Sequence, residues 1–433
     1  MTSTPDHHPP TSTSPRVPDS TPWSLPVQNA SRDGAPATGA AAGKRRLAGI
    51  DAARGLALIG MVSIHILPAW NPETFEPTAQ WTVFAGRSAA LFAFLAGVSL
   101  AFSSGGRTPH TRRAMTATRA GILVRALLIT GLGLAINPLI PGTTIEEIPA
   151  VNILIYYGAF FLLAIPFLRL PAKALFAWAA FFAVAGPVLT HLLRDVLPAV
   201  TDLNPGFAQV AASPGATAAH LLLTGTYPSL PYLTYLLAGL AIGRLDLADI
   251  RIQAALVALG VMMAVVAWFA YWVLILQAGG YDQLMAHTPA LSEEMIDDII
   301  VWGPDPVLPT TTWWWLAIAG PHTNTPLALL LCLGSSMAVL GGFLLLGRAL
   351  EKWLLPLAAM GAMTLTLYSA HLLALSTEVH YDQPYLWFLI QIGAALAFAT
   401  AWRRGLGQGP LERVVARSVK LTRRAVLGGH RRP

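Results

Sequence analysis

A chain of 433 residues that is 54% hydrophobic and only 12% charged carries about half the charged fraction of a soluble domain, which leaves an all-α polytopic membrane protein as the comfortable class. The formal net charge of +6 does not point to nucleic acid, because the basic residues sit at the ends of apolar runs and in the tails, where they set membrane orientation. The single cysteine, Cys332, excludes an intramolecular disulfide and a cysteine-built metal site, and no metal is expected.

Residues 1–43 are rich in Pro, Ser, Thr, Ala and Gly without apolar periodicity and read as a disordered tail. They lack the apolar stretch of a cleaved signal peptide. A basic cluster, Lys44, Arg45 and Arg46, then opens an apolar run that nevertheless contains Asp51, Arg54 and His65. On a helix these three share one face with Met61, and Arg54 and His65 lie about 16 Å apart along the axis. Ionisable groups inside a span are functional suspects when they face protein or water. The plainer reading is a local Asp51–Arg54 pair and an interfacial His65.

Apolar runs long enough for a bilayer recur at about 47–67, 81–103, 119–137, 151–169, 173–193, 227–245, 252–277, 326–347, 353–376 and 384–402, predicting about ten transmembrane helices. The segments 104–118, 169–173, 244–251 and 348–352 and both tails hold nearly all the Lys and Arg, whereas the alternate loops hold one, Arg194. By the positive-inside rule both termini are cytoplasmic. This divides the chain into a cytoplasmic tail (1–43), a membrane domain (44–403) and a basic cytoplasmic tail (404–433), the last solvated or bound to anionic lipid. Two outer loops are long, about 194–226 and 278–325. The second contains Trp313, Trp314 and Trp315, read as an interfacial anchor with sugar binding as the lesser alternative.

This topology delivers His65, Arg87, His322 and His371, with Tyr227 and Tyr368, to a similar depth near the outer side. An imidazole there can take a proton from a hydroxyl or amine attacking an acyl carbonyl, and a guanidinium can hold an anion or stabilise developing negative charge. Each has a plainer role: Arg87 snorkelling to headgroups, His371 as a core histidine, His322 as a loop residue. Near the cytoplasmic side, Arg54, Arg125 and Arg244 are candidates for holding a pyrophosphate that enters from the cytosol, with Asp51, beside Arg54, as a further donor-binding candidate. Membrane anchoring, with an Arg244–Asp246 contact, is the competing role for Arg125 and Arg244. No serine-hydrolase elbow, phosphate loop or zinc-protease helix occurs.

The run Ile50-Asp51-Ala52-Ala53-Arg54-Gly55-Leu56-Ala57, then His65 and Gly86-Arg87-Ser88-Ala89-Ala90-Leu91-Phe92, resembles the start of heparan-alpha-glucosaminide N-acetyltransferase-like transmembrane proteins, more closely a bacterial branch of that superfamily. Leu95–Leu100, Leu223–Pro228, Pro321-His322-Thr323, Leu365–His371 and Gly409-Pro410-Leu411-Glu412 fit the same branch, so the resemblance covers about residues 45–416. It implies a transmembrane acyltransferase in the bacterial plasma membrane. Acyl-CoA (acetyl-CoA or similar) would be the cytosolic donor, and the acceptor an extracytoplasmic hydroxyl or amine on an envelope glycan or glycolipid. It also implies a histidine near the first span as the catalytic residue, here His65. The enzyme branch places its histidine in a Trp-Asn-rich segment after that span; Trp70-Asn71 is present here without an adjoining histidine. The expected partners are membrane lipid, donor and acceptor, with no nucleic acid and a homo-oligomer left open. The alternative is a secondary transporter or lipid/glycolipid flippase using the same buried His and Arg residues.

Overall fold

The structure is a computed structural model that describes residues 38–143, 147–305 and 307–428, with side chains described from residue 48 onward. The tail expected at residues 1–43 lies outside the described residues up to residue 37, as do the side chains of Lys44, Arg45 and Arg46. In chain order the helices are α1 (Thr38–Ile66), α2 (Ala79–Phe84), α3 (Arg87–Ser103), α4 (Arg112–Ile136), α5 (Leu154–Ala164), α6 (Ala172–Leu193), α7 (Phe207–Ala212), α8 (Pro214–Ala219), α9 (Ser229–Ile242), α10 (Ile250–Tyr271), α11 (Gly280–His287), α12 (Glu293–Trp302), α13 (Pro326–Leu346), α14 (Glu351–Gly361), α15 (Thr364–Leu375), α16 (Pro384–Gly405) and α17 (Pro410–Gly428). Among the described residues there is no strand, only an isolated bridge between Trp70 and Pro77. The fold is that of an all-helical, multi-pass membrane protein.

All ten expected runs are helical, but they are not ten equal spans. Seven stretches are long and apolar enough to cross a membrane: Ala48–Ile66, Ala79–Ser103, Arg112–Leu139, Ala172–Leu193, Ile250–Gln277, Pro326–Leu346 and Pro384–Gly405. The run at 353–376 is a broken pair, α14 and α15, bent by 62°, and makes an eighth if counted as one span. The other two, Leu154–Arg169 and Ser229–Ile242, are shorter. An apolar run reports burial, and length alone distinguishes a span from a helix surrounded by protein. Helix α9 shows the difference: from Pro231 to Ile242 every residue is buried, so protein surrounds it and it need not match the bilayer.

Close packing explains how α9 sits at the centre. A Cβ on Gly239 would strike the Phe94 carbonyl of α3, and one on Gly97 would strike the Leu236 carbonyl of α9. Two backbones approach this closely only where side chains are absent, the usual device for packing helices in lipid, where no hydrophobic effect drives them together. The outward faces are apolar in turn. Leu259, Val261, Met262, Val265, Val266 and Phe269 of α10 are exposed, as are Leu386, Leu389 and Ile390 of α16, which suits contact with hydrocarbon.

Loop charge distinguishes the two ends of the bundle. One, the basic end, carries Arg107, Arg112, Arg113, Arg169, Lys173, Arg251, Arg348, Lys352, Arg403 and Arg404. The other, the histidine end, is roofed by α11, α12 and the turn Trp313–Ala317, which share a small core of Ile275, Leu284, Ile296, Ile299, Leu308, Trp315 and Ile318. Trp315 therefore belongs to a core, and its indole N–H donates to the hydroxyls of Thr288 and Thr311, each at 3.2 Å. Only Trp313 of the triplet is strongly exposed, and it lies against His191 with ring centroids 4.7 Å apart.

Candidate functional site

A cavity of about 670 Å³ opens among α1, α3, α4, α5, α15 and α17. Helix register orders its lining. Lys420, Arg423 and Arg424 of α17 stand where that helix packs on the start of α4, next to Gly121. Arg54 of α1 and Arg125 of α4 come next, and Met61, Ile153 and Tyr368 line the far reach towards the histidine end. Between them the walls are largely apolar, with Ile122, Ile129, Phe92 and Phe161. The shape is a pocket with few polar groups at set depths, as ligand sites usually are.

Both inner arginines are held. Arg54 donates to Asp51 at 2.8 Å and to the Ser99 hydroxyl, which is itself turned onto the Leu95 carbonyl. Asp51 thus holds Arg54 in place. Arg125 lies over the Phe161 ring, 4.8 Å from its centroid, a favourable cation–π placement. Its Nε is buried without a hydrogen-bond partner, which a ligand oxygen would satisfy.

The broken span places the histidines. Helix α14 presses against α1 so tightly that a Cβ on Gly361 would overlap the Asp51 carbonyl. The chain turns there, and α15 carries Tyr368 and His371 up towards the end of α1. His371 Nε2 lies 3.0 Å from His65 Nδ1. The two rings are 4° from parallel with centroids 5.3 Å apart; with the nitrogens in contact, the rings lie edge to edge in one plane. Tyr368, lining the cavity, sits beside His371 with centroids 6.4 Å apart, and its hydroxyl accepts from the Ile153 N–H at 3.4 Å.

The remaining expected residues separate. Arg87 opens α3 and turns back to donate to the Thr82 carbonyl, on the far side of α3 from the cavity lining. His322 lies in a tight loop with positive φ at both His322 and Asn324, beside Tyr227 at 5.6 Å between centroids. Its Nδ1 is buried without a partner, and burial pushes the imidazole down to about 4. Arg244 lies outside the cavity and also lacks the expected contact with Asp246. Its guanidinium donates to the carbonyls of Ala101, Gly106 and Leu168 and to the Ser104 hydroxyl, at 2.5–3.2 Å. Asp246 pairs instead with Arg107 at 3.0 Å.

Several site residues escaped the sequence. Gln391 of α16 places Oε1 2.8 Å from His371 Nδ1; an amide in the middle of an apolar run was the available signal. Buried Asn152 joins Asn137 at 2.6 Å and Asn204 at 2.8 Å, so the loops before α5 and α7 satisfy one another inside the bundle. This network lets α5 start deep, next to the cavity. Tyr156 and His220 form a second buried pair at 2.6 Å. Helix α17, within what composition presents as a basic tail, supplies one wall of the cavity. Among the described residues no group of three or more His, Cys, Asp or Glu is arranged to hold a metal ion.

A family model described as "Heparan-alpha-glucosaminide N-acetyltransferase, catalytic" matches residues 46–276. That segment runs from the start of the first span through α10, and includes Asp51, Arg54, His65, Arg87 and Arg125. Comparison with curated proteins gives no match. The match covers more than half of the chain and agrees with an all-helical membrane architecture of transmembrane-acetyltransferase type: the chain belongs to the heparan-alpha-glucosaminide N-acetyltransferase catalytic family.

Proposed function

We propose that the protein is a transmembrane acyltransferase that takes an acyl group from acyl-CoA, acetyl-CoA or a close relative, and passes it to a hydroxyl or amine of an envelope glycan or glycolipid. One observation carries the reading. A single cavity leads from a basic mouth, past Arg54 and Arg125, to a tyrosine beside the His65–His371 pair. Lys420, Arg423 and Arg424 suit the phosphates of the donor, the apolar walls suit its linear arm, and the far reach of the cavity ends at Tyr368, beside the histidines.

In this reading His65 is the general base. Its Nδ1 is engaged by His371, so Nε2 accepts the proton as the acceptor oxygen or nitrogen attacks the thioester carbonyl. The new C–O or C–N bond forms, the C–S bond breaks, and the thiolate leaves with a proton returned from the imidazolium. Arg54 and Arg125 hold the donor, and Asp51 keeps Arg54 oriented. The concentration of basic residues at one end supports a plasma-membrane protein with that end, and both termini, in the cytosol. The acceptor then approaches from the opposite face.

The test is thiol release from acetyl-CoA by the purified full chain in lipid nanodiscs with an amino-sugar acceptor, for wild type and His65→Ala. Turnover that survives His65→Ala overturns the assigned base. Accumulation of a glycan or lipid in proteoliposomes without thioester cleavage supports the transport alternative instead.

A further inference from the structure

Resting on the acyltransferase reading above, we propose that Gln391 of α16 is a positioning residue that decides which nitrogen of His65 is free to take a proton. Three helices contribute one member each to a chain. Gln391 Oε1 lies 2.8 Å from His371 Nδ1, and His371 Nε2 lies 3.0 Å from His65 Nδ1. An amide oxygen only accepts, so His371 Nδ1 carries the proton and donates. In a neutral imidazole the other nitrogen is then the acceptor. His371 Nε2 therefore accepts from His65 Nδ1–H, and His65 Nε2 is left with a lone pair and no proton.

The coplanar rings fit this direct in-line donation. The amide's orientation decides the outcome. An –NH₂ group facing His371 would reverse both steps and put a proton on His65 Nε2, where it could not serve as a base. Once Nε2 takes a proton, the imidazolium still donates through Nδ1 to His371, and Gln391 stabilises the pair with its carbonyl dipole. The titratable groups acting on His65 are His371, His322 and His380, with the Tyr368 phenol beside His371. None of these is a carboxylate, so a neutral amide is the acceptor that ends the chain. Gln391 is also the only amide between Pro384 and Trp402, a stretch without any charged residue. A polar group there is costly without a partner, and its partner is His371.

The test uses the full chain labelled with nitrogen-15 at histidine, in nanodiscs, as wild type, Gln391→Glu and Gln391→Met. His65 signals are identified by their loss in His65→Gln. The expected wild-type spectrum at neutral pH shows His65 protonated at Nδ1 and bare at Nε2. Gln391→Met leaves His371 Nδ1–H without an acceptor, so the His65 signals move towards a protonated Nε2. Acetyl-CoA turnover then falls roughly 10-fold or more in kcat with KM unchanged. Gln391→Glu keeps an acceptor oxygen, so it restores the wild-type signature, and its kcat lies above that of Gln391→Met. A wild-type His65 protonated at Nε2, or an unchanged His65 signature in Gln391→Met, overturns the proposal. The spectra need no turnover, so a protein with the expected tautomer but no acetyl transfer refutes the acyltransferase reading and leaves the relay standing. If Gln391→Met fails to fold, the wild-type and Gln391→Glu spectra still decide.

Discussion

Glu412, near the start of α17, caps the first turn of α15 through Thr366. One carboxylate oxygen accepts from the Thr366 N–H at 3.0 Å and the other from its hydroxyl at 2.6 Å, while the Thr366 hydroxyl oxygen accepts from the Leu411 N–H at 3.1 Å. A helix beginning inside a bundle has unpaired N–H groups and a partial positive charge there, and a carboxylate answers both. The contact joins the C-terminal helix to the segment that carries Tyr368 and His371. Replacing Glu412 with Ala removes a charge-assisted cap and destabilises the α15–α17 contact by about 1–2 kcal/mol. The expected results are faster tryptic cleavage at Arg413 and Arg417 and a higher KM for acetyl-CoA. Gln, which still accepts from the N–H, gives a smaller effect on both.

The basic face of α17 predicts a binding effect separable from chemistry. Lys420, Arg423 and Arg424 line the cavity where the donor's phosphates would lie, and surface charge acts through attraction that salt screens. Replacing all three with Gln should raise the KM for acetyl-CoA roughly 10-fold or more and leave kcat near wild type. It should also flatten the dependence of KM on ionic strength, measured by thiol release across a salt series. An unchanged KM would place the donor elsewhere.

The sequence made the class, the order of apolar segments and the polar face of α1 legible, because each depends on local composition and a 3.6-residue period. Arg54 and Arg125 do line one cavity, and His65 and His371 do meet although 306 positions apart in the chain. What stayed hidden depends on partners. Nothing local shows that Arg244 faces four backbone and hydroxyl acceptors while Arg125 faces a cavity, since both are arginines in apolar runs on the same side of the membrane. The broken span turns at Gly361, where α14 approaches α1 too closely for a side chain, a tertiary contact. Helix α17 reads as a charged tail until its apolar positions, Val415, Ala416 and Val419, are seen against α4 and the cavity.

Arg244 and Arg125 should consequently respond in different ways. Arg244 is buried and tied to four acceptors contributed by α3, the loop after it and the turn after α5. Arg244→Gln should cost about 2–3 kcal/mol or more, visible as a lowered melting temperature, with the KM of the folded fraction unchanged. Arg125→Gln removes a group that lies over the Phe161 ring and faces the cavity. Its melting temperature should fall by less than in Arg244→Gln, since what is lost is the contact with the Phe161 ring, worth about 0.5–2 kcal/mol, while acetyl-CoA affinity falls.

His322 predicts acid sensitivity of the roof over the histidine end. Burial in the Pro321–Pro326 loop pushes its imidazole from 6.5 down to about 4, and its Nδ1 has no partner to share a charge with. The folded protein therefore keeps His322 neutral, whereas the unfolded chain takes up a proton near 6.5. Below 6.5 the unfolded state binds more protons, so stability falls with pH, continues to fall to about 4, and levels off once both states are protonated. His322→Asn removes this contribution, and Asn tolerates the positive φ of the position. Melting temperature measured from neutral pH downward should decline less steeply in His322→Asn than in wild type, with the two curves diverging below about 6.5. Parallel curves would mean that His322 is hydrated or paired in solution, and that the strained loop serves a purpose other than keeping a neutral imidazole beside Tyr227.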